Sequence, residues 1–237
     1  MERRRLLLIS NSTSHGSSYL DHCSGNIEGF LSNEVKTVAF IPFAKYDEED
    51  YSRKAISRFH LMGYRMEALV KGKDHEGILD SCDAVFIGGG NTFLLLKSLH
   101  EEGLIDPIRK RVGKGMPYIG TSAGSNVACD SIKTTNDMPI VYPPTFDALK
   151  LVPFNLNPHY MEPVPDSKHK GETREMRIEE FHQHNDNPVL GLRESAMLRV
   201  EGDSMTLLGS AGAKLFRRGR DPVDYGIGSD LSFLLKE

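Results

Sequence analysis

The stretch that decides the fold is "MPYIGTSAGSNVAC", residues 116–129. An apolar run stops abruptly at small residues, and a helical pattern follows, which is typical of a buried strand that turns into a helix. Ser122 stands at the centre of Gly-Thr-Ser-Ala-Gly, which matches the G-x-S-x-G pattern of a nucleophile elbow. In such an elbow, a sharp turn exposes the serine oxygen. A glycine-rich turn without chemistry would give the same pattern.

The same alternation of strand and helix runs through the first half of the chain. The continuous apolar runs indicate strands covered by helices on both faces. They predict an α/β fold with a mostly parallel sheet in three layers. The runs are "RLLLIS" (5–10), "KTVAFIPFA" (36–44), "YRMEALV" (64–70) and "AVFIGGG" (84–90), and helical patterns follow near 17–32, 47–63, 75–81, 91–103 and 104–114.

The last third of the chain has a different pattern. Residues 130–170 hold seven prolines and predict a long ordered loop region with a short strand near "FNLNPH", residues 154–159. A helix is expected over residues 171–184. The segments "MLRVEGDSMTLLG" (197–209) and "AKLFRRG" (213–219) predict antiparallel hairpins at the sheet edge. We expect residues 1–237 to form one domain.

Composition narrows the classes of function. The 237 residues are 26% charged and 39% hydrophobic, with a net charge of -4, which is typical of a globular protein and not of a nucleic-acid binder. No apolar run reaches membrane-spanning length, so we expect no membrane association. Cys23, Cys82 and Cys129 are too few and too widely spaced for a disulfide framework or a zinc site. These features predict a cytoplasmic protein without a metal.

A second glycine cluster, Gly88–Gly90, ends the strand before the elbow. It lacks the spacing of a phosphate-binding loop or a dinucleotide fingerprint. In an open parallel sheet the carboxyl ends of the strands line one crevice, so this cluster and Ser122 should face each other there. The amides of Gly89, Gly90 and Ala123 are then candidates to stabilise an oxyanion.

A serine nucleophile needs a base and an acid that orients the base. Among the nine histidines, His159 is the best candidate for the base because it follows a short strand and Pro158. Two carboxylates are candidates for the acid. Asp137 lies in the loop between the serine and the histidine, and Glu194 lies at the end of the apolar run "VLGLRE". The spacing leaves both open.

Together these residues resemble peptidase E, the cytosolic α-aspartyl dipeptidase family of serine peptidases. The resemblance spans most of residues 5–194. It is carried by "LLLISNST", "AFIPFA", "GGGNTFLLLK", "YIGTSAGSNVAC", "TTNDMPIV", "FDALKLVPFNLNPH", "HKGETREMRI" and "VLGLRE". It implies a fold related to class I glutamine amidotransferases, with Ser122 as nucleophile, His159 as base and either Asp137 or Glu194 as acid.

The resemblance also implies a small peptide substrate with an N-terminal aspartate, hydrolysed without a cofactor or a metal. Arg174 matches the arginine expected to bind the aspartate carboxylate, since a guanidinium can bind both oxygens at once. Glu172 is the candidate for the substrate ammonium, and Asn91 completes the predicted binding set. A homodimer is the assembly that we expect. Two alternatives stay open, a cyanophycinase-like hydrolase of β-aspartyl bonds and a binding protein without turnover.

Overall fold

The computed structural model describes residues 4–162 and 171–236. In the first half, strands and helices alternate as predicted. They are β1 (Arg5–Ile9), α1 (Ser24–Leu31), β2 (Thr37–Ile41), α2 (Glu48–Leu61), β3 (Arg65–Ala68), α3 (His75–Ser81), β4 (Ala84–Ile87), α4 (Thr92–Glu101), α5 (Ile105–Gly113), β5 (Tyr118–Thr121) and α6 (Ala123–Asn126).

The remainder is mainly β-structure. Its described elements are β6 (Asn155–Tyr160), α7 (Arg174–His182), β7 (Val189–Arg193), β8 (Ala196–Glu201), β9 (Ser204–Gly209), β10 (Ala213–Arg217) and β11 (Arg220–Tyr225). The predicted short strand, the helix and both hairpins are therefore present. Part of the predicted loop region, residues 163–170, lies outside the described residues.

The strands form two sheets. The large sheet has the order β3-β2-β4-β5-β1-β8-β9, and its first five strands are parallel, while β8 and β9 form the predicted antiparallel hairpin at its edge. The small sheet has the order β11-β10-β7-β6. The predicted mostly parallel α/β fold with antiparallel edge hairpins is confirmed. The sequence did not indicate that the last third builds a second sheet.

Side chains of β1 alternate between two hydrophobic clusters, one on each face of the large sheet. Leu6 and Leu8 pack with residues of α3, α4 and α5, whereas Leu7 and Ile9 pack with residues of α1 and α2. Burial of both faces explains why the central strands read as continuous apolar runs. The edge strand β3 differs, because its residues alternate between exposed and half-buried.

The small sheet joins the first of these clusters. Leu192 of β7 and Leu215 of β10 pack into the cluster that covers one face of the large sheet. The opposite face of the small sheet is covered by α7 through Ile178, which packs with Tyr160 and Val189. The two sheets thus meet at a shared core. One domain over residues 1–237 stays a prediction.

Helix ends follow the local chemistry of the sequence. Asp47 precedes α2 and accepts a hydrogen bond from the Asp50 amide at 2.9 Å, and three acidic residues occupy the first turn of that helix. Both features satisfy the free amides and the positive end of the helix dipole. Gly63 follows the helix with a φ of 88°, a conformation that glycine adopts at little cost.

Two further observations concern the whole described chain. None of its helices is long and apolar enough to cross a membrane. Cys23, Cys82 and Cys129 are all buried and free.

Candidate active site

Ser122 lies on the turn between β5 and α6, as the elbow pattern predicts. Its backbone has φ 51° and ψ -107°, which is unusual for a residue with a side chain. The small neighbours are required by close packing. A Cβ atom on Gly120 would lie 2.5 Å from the carbonyl oxygen of Gly124, and one on Gly124 would lie 2.1 Å from that of Ile87. The segment therefore presents a serine hydroxyl on a strained turn.

His159 is the residue whose ring reaches this hydroxyl. It lies in β6, where the pairing with β7 shifts register between Pro158 and Tyr160, and its own φ is 54°. The shift is a bulge, which redirects a side chain relative to its strand. The Nε2 atom of His159 lies 2.9 Å from the Oγ atom of Ser122. Serine and imidazole thus meet within hydrogen-bond distance.

Glu194 completes a chain of three side chains. Its Oε1 atom lies 2.8 Å from the Nδ1 atom of His159. A carboxylate only accepts hydrogen bonds, so the ring nitrogen that faces it is the one that carries the proton. The lone pair of Nε2 then points at the hydroxyl of Ser122. This arrangement suits an imidazole that removes a proton from the serine.

Asp137, the other candidate acid, contacts different groups. Its Oδ2 atom accepts hydrogen bonds from the Thr92 amide at 2.7 Å, the Thr92 hydroxyl at 2.6 Å and the Thr135 hydroxyl at 3.2 Å. It therefore binds the start of α4 and not the imidazole. Its side chain is half-buried and lines the same cleft as Ser122 and His159. Of the two carboxylates left open by the sequence, the structure brings only Glu194 to the histidine.

The glycine loop after β4 lies directly beside the serine. A Cβ atom on Gly89 would lie 3.2 Å from the Cβ atom of Ser122. Gly90 has a φ of 145°, and a Cβ atom there would lie 2.2 Å from the carbonyl oxygen of Ala44. Ala123 opens α6, where no carbonyl of the same helix can accept from its amide. Gly89 and Ala123 thus lie directly beside Ser122, and Gly90 lines the same cleft.

Asn91 serves as the cap of α4. Its Oδ1 atom accepts from the Leu94 amide at 3.0 Å, and its Nδ2 atom donates to the carbonyl oxygen of Met138 at 2.9 Å. Both polar ends of the side chain are therefore used within the protein. The structure gives Asn91 a role in holding the loop beside the cleft. Direct binding of substrate by Asn91 stays a prediction.

Arg174 and Glu172 differ in their surroundings. Arg174 is half-buried and has no hydrogen-bond or ion-pair partner within residues 4–162 and 171–236. Burial and the neighbouring Arg177 lower the pKa of its guanidinium, and the negative charge of Asp137 opposes this. Glu172 is exposed, and its carboxylate lies 3.5 Å from the Nε atom of Arg177. Within the described residues, Arg174 thus interacts with Asp137 only by charge attraction without a hydrogen bond, whereas Glu172 already has a cationic partner.

A cleft of about 810 Å³ is lined by Gly89, Gly90, Ser122, Asp137 and His159, whereas Asn91, Glu172 and Arg174 are not among its lining residues. This volume lies in the range of small-molecule sites. Tyr51 of α2 also lines the cleft, with its hydroxyl against Gly88. The cleft therefore offers a serine hydroxyl, an imidazole and the carboxylate of Asp137 to one small ligand.

Comparison with known sequences identifies the family to which this site belongs. A sequence model described as Peptidase family S51 matches residues 6–208.

The chain belongs to peptidase family S51.

Its relatives within the family cover nearly the whole chain. A Drosophila melanogaster protein named "Probable alpha-aspartyl dipeptidase" is 49% identical over 236 residues, which is 99% of this chain and 98% of the relative. Peptidase E of Streptomyces coelicolor is 50% identical over 230 residues, covering 97% and 94%. The crystal structure of a peptidase from an acI-B1 Actinobacterium has a TM-score of 0.72 at 18% identity, covering 97% of each chain. This last likeness supports the fold alone.

Two residues beside the chain Ser122–His159–Glu194 were missed in the sequence, namely Ser10 and Asn11. Both are buried although they are polar, with exposed fractions of 0% and 1%. They follow β1 directly, at the carboxyl edge of the parallel strands where ligands bind. Polar residues in "LLLISNST", directly after a buried strand, were the available signal. Their partners could not be read from it because those partners lie more than 140 residues away.

Proposed function

We propose that this S51 peptidase is a serine dipeptidase that hydrolyses α-aspartyl dipeptides through an aspartyl-enzyme intermediate. The observation that carries the proposal is the chain of hydrogen-bond distances from Ser122 through His159 to Glu194, beside a cleft large enough for a dipeptide. The names of the relatives, alpha-aspartyl dipeptidase and peptidase E, support the choice of substrate.

In the first half of the reaction, the Nε2 atom of His159 takes the proton of the Ser122 hydroxyl while Oγ attacks the peptide carbonyl carbon. The amides of Ala123 and of the Gly89–Gly90 loop stabilise the negative oxygen that forms. The C–N bond then breaks, and His159 gives its proton to the leaving amine. Glu194 stabilises the imidazolium that exists between these two proton transfers.

In the second half, a water molecule attacks the ester that links the aspartyl group to Ser122. His159 removes a proton from this water and later returns it to the Oγ atom of Ser122. The products are free aspartate and the second residue of the dipeptide. The scheme uses the side chains and backbone amides already described, together with water.

Recognition of the N-terminal aspartate would rest on opposite charges. The half-buried guanidinium of Arg174 is suited to the β-carboxylate because it has no protein partner among the described residues. Asp137 is a better candidate for the ammonium than Glu172. Within the described chain, its Oδ1 atom accepts no hydrogen bond, and its side chain faces the cleft, whereas Glu172 lies 3.5 Å from Arg177.

The test is a panel of dipeptides that differ only in the first residue. Wild-type protein is assayed on Asp-Leu, Glu-Leu, Asn-Leu and β-Asp-Leu, with Ser122→Ala as the control. We expect hydrolysis of Asp-Leu to exceed the others at least about 100-fold in kcat/KM. Asn-Leu leaves the cation without its partner, and Glu-Leu and β-Asp-Leu change the distance between the carboxylate and the scissile bond. We expect Ser122→Ala to be inactive on all four.

Two results would overturn the proposal. Preferential cleavage of β-Asp-Leu would support the cyanophycinase-like alternative instead. A wild-type protein that binds Asp-Leu and returns it intact would support the binding protein. A cytoplasmic location and a homodimer belong to the same proposal, and cell fractionation and sedimentation in solution test them.

A further inference from the structure

Ile9, the last residue of β1, and the two residues that follow it each accept a hydrogen bond from a backbone amide at or next to Ser122, His159 or Glu194. The carbonyl oxygen of Ile9 accepts from Ser122 at 3.0 Å. The hydroxyl of Ser10 accepts from His159 at 2.9 Å. The side-chain oxygen of Asn11 accepts from Ser195, the residue after Glu194, at 2.7 Å. One tripeptide thus contacts the backbone at or next to every member of the Ser-His-Glu chain.

The three residues whose amides it binds share a positive φ. Ser122, His159 and Ser195 have φ values of 51°, 54° and 66°, and none of them is glycine. Residues with side chains occupy this region only where the surrounding structure enforces it. The hydrogen bonds from the end of β1 are a specific means of enforcing it at all three positions.

The need for such contacts follows from the architecture. Ser122 follows β5 of the large sheet, whereas His159 belongs to β6 of the small sheet and Glu194 follows β7 of the same small sheet. The distance between the serine oxygen and the imidazole therefore depends on how the two sheets are joined. β1 pairs directly with β5, so its last residues are placed to connect one sheet to the other.

Ser10 makes this connection with a single hydroxyl. While it accepts from the His159 amide, it donates to the carbonyl oxygen of Leu192 in β7 at 2.8 Å. The bulge in β6 takes His159 out of the strand ladder, which leaves its amide in need of an acceptor. The fully buried hydroxyl of Ser10 fills that need.

Asn11 makes the second connection. Its amide nitrogen donates to the Thr13 carbonyl oxygen at 3.0 Å and lies 3.1 Å from the Ser14 hydroxyl. Ser14 in turn lies 2.8 Å from the hydroxyl of Ser195. The short turn that carries Glu194 is therefore fixed to the segment after β1 through the backbone amide and the hydroxyl of Ser195.

We propose that Ser10 and Asn11 are positioning residues, which set the imidazole of His159 and the carboxylate of Glu194 against Ser122 across the junction of the two sheets. The inference rests on the proposed function for the role of Ser122 as nucleophile. Neither residue has to touch the substrate. Their contribution is the alignment of groups that do.

The main test is Ser10→Ala, assayed on Asp-Leu and with a fluorophosphonate that labels activated serines. We expect kcat to fall about 100-fold and KM to change by less than about threefold, because misalignment by a fraction of an ångström slows the chemical step more than binding. The labelling rate should fall in the same proportion. If Ser10 had only a structural role, Ser10→Ala would lower the fraction of folded protein, and kcat would not fall at nearly constant KM.

Two further variants isolate the effect. Ser10→Thr keeps the hydroxyl and should restore at least a tenth of the wild-type kcat. Ser131→Ala is the matched control, since Ser131 is 5% exposed and accepts a hydrogen bond from the Asn155 side chain at 2.9 Å. It removes a comparable buried acceptor away from the triad, and its folded form should keep the wild-type kcat.

Asn11→Ala tests the second connection independently, including the case in which Ser10→Ala does not fold. We expect its kcat to fall about tenfold, since it acts on His159 only through Glu194. Folded Ser10→Ala or Asn11→Ala protein with wild-type kcat and labelling rate would overturn the inference. Failure of the proposed function looks different, because the wild-type protein itself would then neither hydrolyse Asp-Leu nor react with the fluorophosphonate.

Discussion

Two histidines of this chain face a glutamate at nearly the same distance, yet only one of these two also contacts Ser122. The Nδ1 atom of His159 lies 2.8 Å from Glu194, and the Nε2 atom of His75 lies 2.7 Å from Glu102. The first pair joins β6 to the turn after β7. The second joins the start of α3 to the residue after α4. The hydrogen bond alone therefore does not distinguish a catalytic pair from a structural one.

The difference lies in what surrounds each pair. The side chains of His159 and Glu194 are 38% and 51% exposed, whereas those of His75 and Glu102 are 8% and 16% exposed. The second nitrogen of His159 reaches Ser122, while that of His75 is buried without a hydrogen-bond partner in the described chain. The first pair is suited to catalysis for two reasons. His159 lines the cleft, and its second ring nitrogen contacts the hydroxyl of Ser122.

The two histidine–glutamate pairs should differ most when each histidine is replaced. We expect His159→Gln to lower kcat/KM for Asp-Leu about 10⁴-fold with little change in thermal stability, because the general base is lost at a half-exposed position. His75→Gln should keep kcat/KM within about twofold and lower the melting temperature by several degrees, since it alters a buried polar pair. Steady-state kinetics and calorimetry on both variants measure these effects.

Equal loss of activity in the two histidine variants would contradict this assignment. Circular dichroism at the assay temperature serves as the control, because both proteins must be folded when they are compared.

Substitution of Glu194 and Asp137, the two candidate acids in the sequence, should give the next largest effect. We expect Glu194→Gln to lower kcat about 10²–10³-fold, because an amide cannot stabilise the imidazolium as a carboxylate does. Asp137→Asn should instead raise KM about tenfold with a smaller effect on kcat, since Asp137 faces the cleft but does not contact His159. Full kinetic profiles for Asp-Leu separate kcat from KM. A larger fall in kcat for Asp137→Asn would return Asp137 to the role of the acid.

The sequence predicted those parts of the site that depend on local pattern. The turn around Ser122 requires small neighbours within a few residues, and the strand before His159 is bounded by prolines, so both could be recognised in the chain itself. The choice between Asp137 and Glu194 depends on the packing of separate elements. Glu194 reaches His159 only because β6 and β7 are neighbours in a second sheet, which no local pattern indicated.

Ser10 illustrates the same limit. A buried hydroxyl after a strand is visible in the sequence only as one more polar residue. Its importance comes from a bulge at His159 and a carbonyl oxygen at Leu192, each more than 140 residues away. Contacts of this kind depend on how the two sheets meet and not on any periodicity of the chain.

Glycines beside the two pairs give a third comparison. Gly90 adjoins the cleft, and a Cβ atom there would lie 2.2 Å from the Ala44 carbonyl oxygen. Gly103 follows Glu102 with a φ of 65°, and a Cβ atom there would meet no other atom within 4 Å. We expect Gly90→Ala to lower the free energy of unfolding by about 2–4 kcal/mol and kcat about tenfold, because a backbone clash adds to conformational strain. Gly103→Ala should cost only about 1 kcal/mol and leave kcat unchanged. Urea denaturation with parallel assays tests both, and similar losses in the two variants would show that steric contact with Ala44 is unimportant.

The smallest expected effect is the pH-dependent contribution of the pair His75 and Glu102 to the free energy of unfolding. The amide of Gly72, followed by His75, lowers the pKa of Glu102. A carboxyl group whose pKa is lower in the folded state stabilises that state above its unfolded pKa, and this contribution disappears as the pH falls through the folded pKa. Wild-type protein should therefore exceed Glu102→Gln in free energy of unfolding by about 1 kcal/mol at pH 7 and by less below about pH 4. Urea denaturation of both proteins at pH 7 and pH 3.5 measures the difference; a constant difference would mean that Glu102 contributes through packing and not through its charge.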